Sequence, residues 1–189
     1  MRIISVSDVC RATADAAAQN LPAVLAGGFT AEKAARYPRM PKWGQVPTLE
    51  ALLTQANFPT GGVTSPGLAV PPKRNGRNYD APWRISVGIY DRGSDWSDTA
   101  DRVRDWAALL RAAVLSDTTL GGLASAMTWA GEEYRQIPDA SNGRTIGGCA
   151  VAFDITVRNV VDLAAPAPDG PIATTARTRV TVRPPQAQE

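Results

Sequence analysis

The chain has 189 residues, 44% of them hydrophobic and 20% charged, which is enough for one domain with a real core, or one domain plus arms, and cramped for two. A formal net charge of +2 supplies no global field towards nucleic acid and leaves local basic loops as the only electrostatic route to it. Histidine is absent, which removes the commonest general base at neutral pH, the commonest transition-metal ligand and every serine or cysteine triad of the familiar kind.

In chain order, Ser7 or Asp8 caps a first helix on which Val9, Cys10, Thr13, Ala17, Leu21 and Val24 share a face, until Gly27 and Gly28 stop it or Pro22 ends it earlier. The acidic and basic residues Asp8, Arg11 and Asp15 interrupt any apolar run there, so the sequence predicts neither a signal peptide nor a membrane span, and a protein made in a cytoplasm. Thr30 caps a short helix over 30–37, although alternation of Phe29, Ala31 and Tyr37 also permits a strand. Pro47 opens another over 47–57, with Leu49, Leu52 and Leu53 on one face. Residues 58–82 are so rich in Gly, Pro and Asn that they read as a long loop.

Residues 83–90 alternate Trp83, Ile85, Val87 and Ile89 with Arg84, Ser86 and Tyr90, the pattern of a half-buried strand. Ser94 or Asp95 then caps a helix of about twenty residues whose apolar stripe is Val103, Trp106, Ala107, Leu110 and Val114. After Leu120-Gly121-Gly122, strands are predicted at 125–137 and 146–161. In the second, Val151, Phe153, Ile155 and Val157 face one way, and Asn142-Gly143 between the two strands signals a hairpin. The fold expected is α+β: a mostly antiparallel sheet packed by helices on one face, forming a single domain over 1–163 with an extended loop at 58–82. A Pro-rich linker and C-terminal arm occupy 164–189, where Thr178, Val180 and Val182 alternate with Arg177, Arg179, Thr181 and Arg183, a pattern suited to adding a strand to a neighbour's edge.

The residues do not assemble into recognisable chemistry. Lys33, Lys42 and Lys73 are the only lysines and none has a catalytic spacing with serine. Gly62 to Gly67 matches the outer glycines of a phosphate loop, but Leu68 stands where the phosphate-holding lysine belongs. Asp91, Asp95 and Asp98 lack the alternate-residue oxygens and distal Glu of a calcium loop and read as helix caps and dipole partners. Cys10 and Cys149 fall in a helix and a strand and read as buried free thiols. No catalytic, cofactor or metal site is therefore expected, and an enzyme with an unrecognised site ranks last.

The candidate contact residues are basic. Lys73, Arg74 and Arg77, with Tyr79 beside them, mix cations with an aromatic; the segment reads as a solvated turn, as an arm pairing with acids of an adjacent subunit, or as a groove for a nucleic-acid backbone. Arg177, Arg179 and Arg183 in the C-terminal arm form the second candidate element. The excess of arginine over lysine suits planar, bidentate pairing at interfaces, and genomic base composition would give the same bias. Trp83 and Trp106 are expected in the core.

The run from Arg102 to Ile137, with Asp117, Leu120, Gly121, Gly122 and Trp129, followed by the strand bearing Phe153 and Ile155, resembles the tail terminator (tail completion) proteins of long-tailed bacteriophages. The likeness covers about residues 83–161. It implies a small α+β subunit without catalytic residues, forming a hexameric ring that closes the head-proximal end of the tail tube. Its implied partners are other copies of itself, the tail tube protein, the head-tail connector proteins and, without sequence reading, the DNA passing through the lumen; its implied place is the virion. A tail tube or other head-tail joining protein shares this logic, and an accessory nucleic-acid-binding protein is the reading from another class.

Overall fold

The computed structural model describes residues 2–54, 57–138 and 145–162. The elements run β1 (Arg2–Ile3), α1 (Val6–Gly28), α2 (Ala31–Ala34), β2 (Lys42–Gln45), a 3-10 helix (Leu49–Thr54), β3 (Thr60–Leu68), β4 (Lys73–Asn75), β5 (Asn78–Arg92), α3 (Trp96–Leu115), β6 (Ala126–Pro138) and β7 (Thr145–Asp162). They make one seven-stranded sheet with the path β1-β7-β5-β3-β2, in which β6 also pairs with β7 and β4 with β5. Every pair is antiparallel except β2 with β3. The α+β expectation is met.

The two central strands carry the alternation that the sequence announces. Ile85, Val87 and Ile89 of β5 lie beside Phe153, Val151 and Cys149 of β7, and all six are buried. Over this face pack α1 and α3, whose inward residues Val9, Ala17, Leu21, Val103, Trp106, Leu110 and Val114 join the same core. Burial of this face, at roughly 25 cal/mol per Å² of apolar surface, is the main stabilising term. Asn20 ties the two helices together by donating from Nδ2 to the carbonyl of Ala113 at 3.0 Å.

The start of α1 differs from the expectation. Ser5 is the cap, accepting from the Asp8 amide while the Asp8 carboxylate accepts from the Ser5 amide at 2.9 Å, a reciprocal box. The helix continues through Pro22 to Gly28; one lost backbone hydrogen bond is outweighed by Leu21 and Leu25, which are buried on either side. Thr30 and Asp95 cap α2 and α3 as the sequence indicates.

The long loop expected at 58–82 is not a loop. It holds β3, β4 and the first residues of β5. Gly61 and Gly62 are there for close packing: a Cβ on Gly61 would come within 2.9 Å of the Trp43 ring, and one on Gly62 within 2.9 Å of Val46 and 3.0 Å of Leu52. Pro66 sits in the register break between Thr64 and Gly67, where a proline costs the ladder least, and the Ser65 hydroxyl bridges the break by donating to the Arg84 carbonyl at 2.7 Å.

Among the described residues the second sheet face is covered only at one end. There the 3-10 helix lays Leu49, Leu52 and Leu53 over Tyr90 and Ile146, and Gly88 and Gly148 make room for Leu49 and the Tyr90 ring. The segment 47–57 had been expected as an ordinary short helix, and the tighter form over 49–54 replaces it. β6 and β7 are antiparallel neighbours as expected, while the Asn142-Gly143 turn and the arm 164–189 lie outside the described residues.

Candidate functional site

The four described contact candidates come together on one β-hairpin. Lys73 faces Asp80 across the ladder, Arg74 faces Tyr79 and Asn75 faces Asn78, with Gly76 at φ 62 in the two-residue turn. Residues 70–77 are all exposed. Arg74 donates from Nε to the Gly76 carbonyl at 3.0 Å, which stiffens the tip. Among the described residues no carboxylate pairs with Lys73, Arg74 or Arg77. Leu68, Val70 and Tyr79, at 46%, 52% and 37% exposure, add apolar surface beside these cations. Cations and apolar side chains thus share one water-facing segment. Arg177, Arg179 and Arg183 lie outside the described residues.

The residues of the family likeness form one continuous unit, α3 to turn to β6 to β7. Asp117 builds the turn: its carboxylate accepts from the Thr119 hydroxyl at 2.7 Å, the Thr119 amide at 3.1 Å and the Gly121 amide at 2.8 Å. These bonds, led by the Thr119 hydroxyl, hold its carboxyl below the usual range. Leu120, Gly121 and Gly122 follow in the left-handed region at φ 49, 67 and 90, and Leu120 is nevertheless buried. Phe153 and Ile155 are core residues, whereas Trp129 is 45% exposed and stacks on the Arg111 guanidinium at 4.5 Å.

Two features escaped the sequence reading. The uncovered part of the second sheet face is a groove of about 460 Å³, floored by Ser86, Ala150 and Ala152 and walled by Glu50 and Glu133. Above its floor Arg84 and Asp154 form a two-point ion pair at 2.8 and 2.9 Å. The run of small residues on the outward positions of β5 and β7 was the available signal. The other feature is the edge strand β6, along which Trp129 and Tyr134, the latter beside Trp96 of α3, remain exposed on the helix side. The hydrogen bond that Tyr134 donates to Glu132 pushes its phenol up to about 12, and Glu132 also receives Arg111 at 2.6 Å.

The acids before α3 cap and pair. Asp95 accepts from the Asp98 amide at 2.9 Å. Buried Asp91 accepts from the Trp106 indole at 2.8 Å. Burial pushes the Asp98 carboxyl up, but the Ser94 amide and the guanidiniums of Arg102 and Arg36 more than reverse it and hold it well below the usual range. Tyr37 donates to Asp105 at 2.6 Å, and Lys33 pairs with the same carboxylate at 2.7 Å. This network fastens α2 to α3. Both cysteines are free and buried, and burial pushes the Cys149 thiol up to about 12, far from a reactive thiolate. Among the described residues no cluster of three acids and cysteines is placed to hold a metal ion, and no helix is long and apolar enough to cross a membrane. No model of a known protein family matches the chain, and no curated protein matches it.

Proposed function

We propose that this chain is a structural virion protein, a ring-forming tail terminator that caps the head-proximal end of a phage tail tube and joins it to the head connector. The reading rests on the segment 68–79, where three cations have no carboxylate partner among the described residues and three apolar side chains stand exposed beside them. It is supported by the α3-turn-β6-β7 unit, in which the residues of the family likeness each have a defined place. The action is geometric. Each copy offers the hairpin on one side and open sheet surface on another, and repetition of one heterologous contact closes a ring. Arginines facing the lumen would meet passing DNA through its phosphates, without reading sequence.

Mass measurement on the purified protein, alone and with completed tails, tests this. A single closed ring per tail is the expected outcome. Many copies spread along each tail would point to a tube protein, and no incorporation at all would sink the proposal. Replacing Lys73, Arg74 and Arg77 with alanine should lower incorporation at least tenfold while leaving the thermal melt in place.

The same three unpaired cations favour a second reading, an accessory nucleic-acid-binding protein. Three phosphate contacts would give a log-log salt slope near −3 on duplex DNA, at about −0.9 per contact. A flat response to salt would dismiss it.

A further inference from the structure

We propose that the outer edge of β6 receives a strand donated by residues 177–183 of a second copy of this chain. The inference rests on the ring-subunit reading and adds where one copy grips the next. Among the described residues β6 is paired on one side alone, with β7, so a thirteen-residue ladder of backbone groups faces outward. The opposite edge of the sheet, β2, is four residues long. A long exposed edge is normally blunted by charge, bulges or a covering segment. β6 has a register break between Trp129 and Gly131 and carries Glu132, Glu133 and Arg135.

The two faces of that edge differ, and the C-terminal segment differs in the same way. On the helix side stand Trp129, over which Arg111 stacks, the Arg111 partner Glu132, and Tyr134, which with Trp96 of α3 borders a groove of about 390 Å³. On the other side is Glu133, whose side chain is 73% exposed and whose ion pair with Arg135 is a long 3.6 Å. In the segment, Thr178, Val180 and Val182 occupy one set of alternate positions and Arg177, Arg179 and Arg183 the other. A strand laid beside β6 with its valines towards the aromatics turns its arginines towards Glu133. Main-chain bonds supply the affinity, and this match of faces fixes which way up the strand lies. The described residues end at Asp162, paired with Arg2 and Asn78. Residues 163–176 then give a reach of about 45 Å when extended, enough to cross to a neighbour.

The test uses full-length chains carrying one new cysteine each. Tyr134→Cys is mixed under mild oxidation with Thr178→Cys, Val180→Cys or Val182→Cys, both free and on assembled tails, and Arg11→Cys, on the exposed side of α1, replaces Tyr134→Cys as the control. A covalent pair of unlike chains should form with at least one donor position, at least tenfold faster than with the control. Equal rates with Tyr134→Cys and Arg11→Cys, both free and on tails, overturn the proposal. So does a doubly substituted single chain that closes on itself in dilute solution while mixed chains stay apart. The two readings part company cleanly: rings on tails without the link at β6 refute this site and leave the ring, whereas the link without any incorporation into tails refutes the terminator role and leaves the contact.

Discussion

The two faces of the sheet are built to different rules. Under α1 and α3 the inward positions of β5 and β7 carry Ile85, Val87, Ile89, Val151, Phe153 and Ile155, none of which reaches water. On the reverse, Ser86, Gly88, Gly148, Ala150 and Ala152 occupy the alternate positions, and among the described residues cover comes from the short 3-10 helix with Val46, Phe58 and Ile137 around it. One face folds the subunit. The other is kept low and partly open, so surface there can be given to another chain without unmaking the core. The difference teaches that positions filling the core and positions left open alternate along the same strands, and that single substitutions should separate the two faces by their effect on stability.

The largest effect should come from the filled face. Phe153→Ala removes a fully buried ring at the centre of the core and should lower the unfolding free energy by about 3–5 kcal/mol in denaturant titration. Next comes the end of the reverse face that is covered. A Cβ at Gly148 would come within 2.4 Å of the Tyr90 ring, so Gly148→Val should cost about 1–3 kcal/mol by overpacking. A third effect appears only in acid. Because the folded-state pKa of Asp98 is depressed, its contribution is complete above about pH 4, the ordinary aspartate value, and is lost as pH falls through the folded one. Asp98→Asn should flatten that part of the stability profile and leave the neutral-to-basic limb unchanged in shape. The smallest effect is expected from Ser86→Val on the groove floor, within about 0.5 kcal/mol. A loss there as large as at Phe153 would show that the open face is core after all.

What was legible in the sequence follows the same division. The alternation in β7 and the stripe on α3 could be read because burying one face forces a period of 2 or 3.6, and Val103, Trp106, Ala107, Leu110 and Val114 are all buried as expected. The segment 58–82 was misread because glycine serves two ends. At Gly61 and Gly62 it lets Trp43, Val46 and Leu52 approach the backbone, which composition alone cannot tell from a turn. The hairpin cations were found from their clustering, although the strands that present them were not. Trp96 and Trp129 could not be placed from residue type, because tryptophan serves cores and surfaces alike and only the packing separates them from Trp106.

The antiparallel pairing of Arg2 and Ile3 with Asp162 and Val161 has a bearing on synthesis. Strand β1 is among the last to find its place, since its ladder partner is made about 160 residues after it. Until then α1 must wait beside a sheet whose central strand β7 does not yet exist, so the nascent chain depends on local helix formation to keep its apolar stripe from straying.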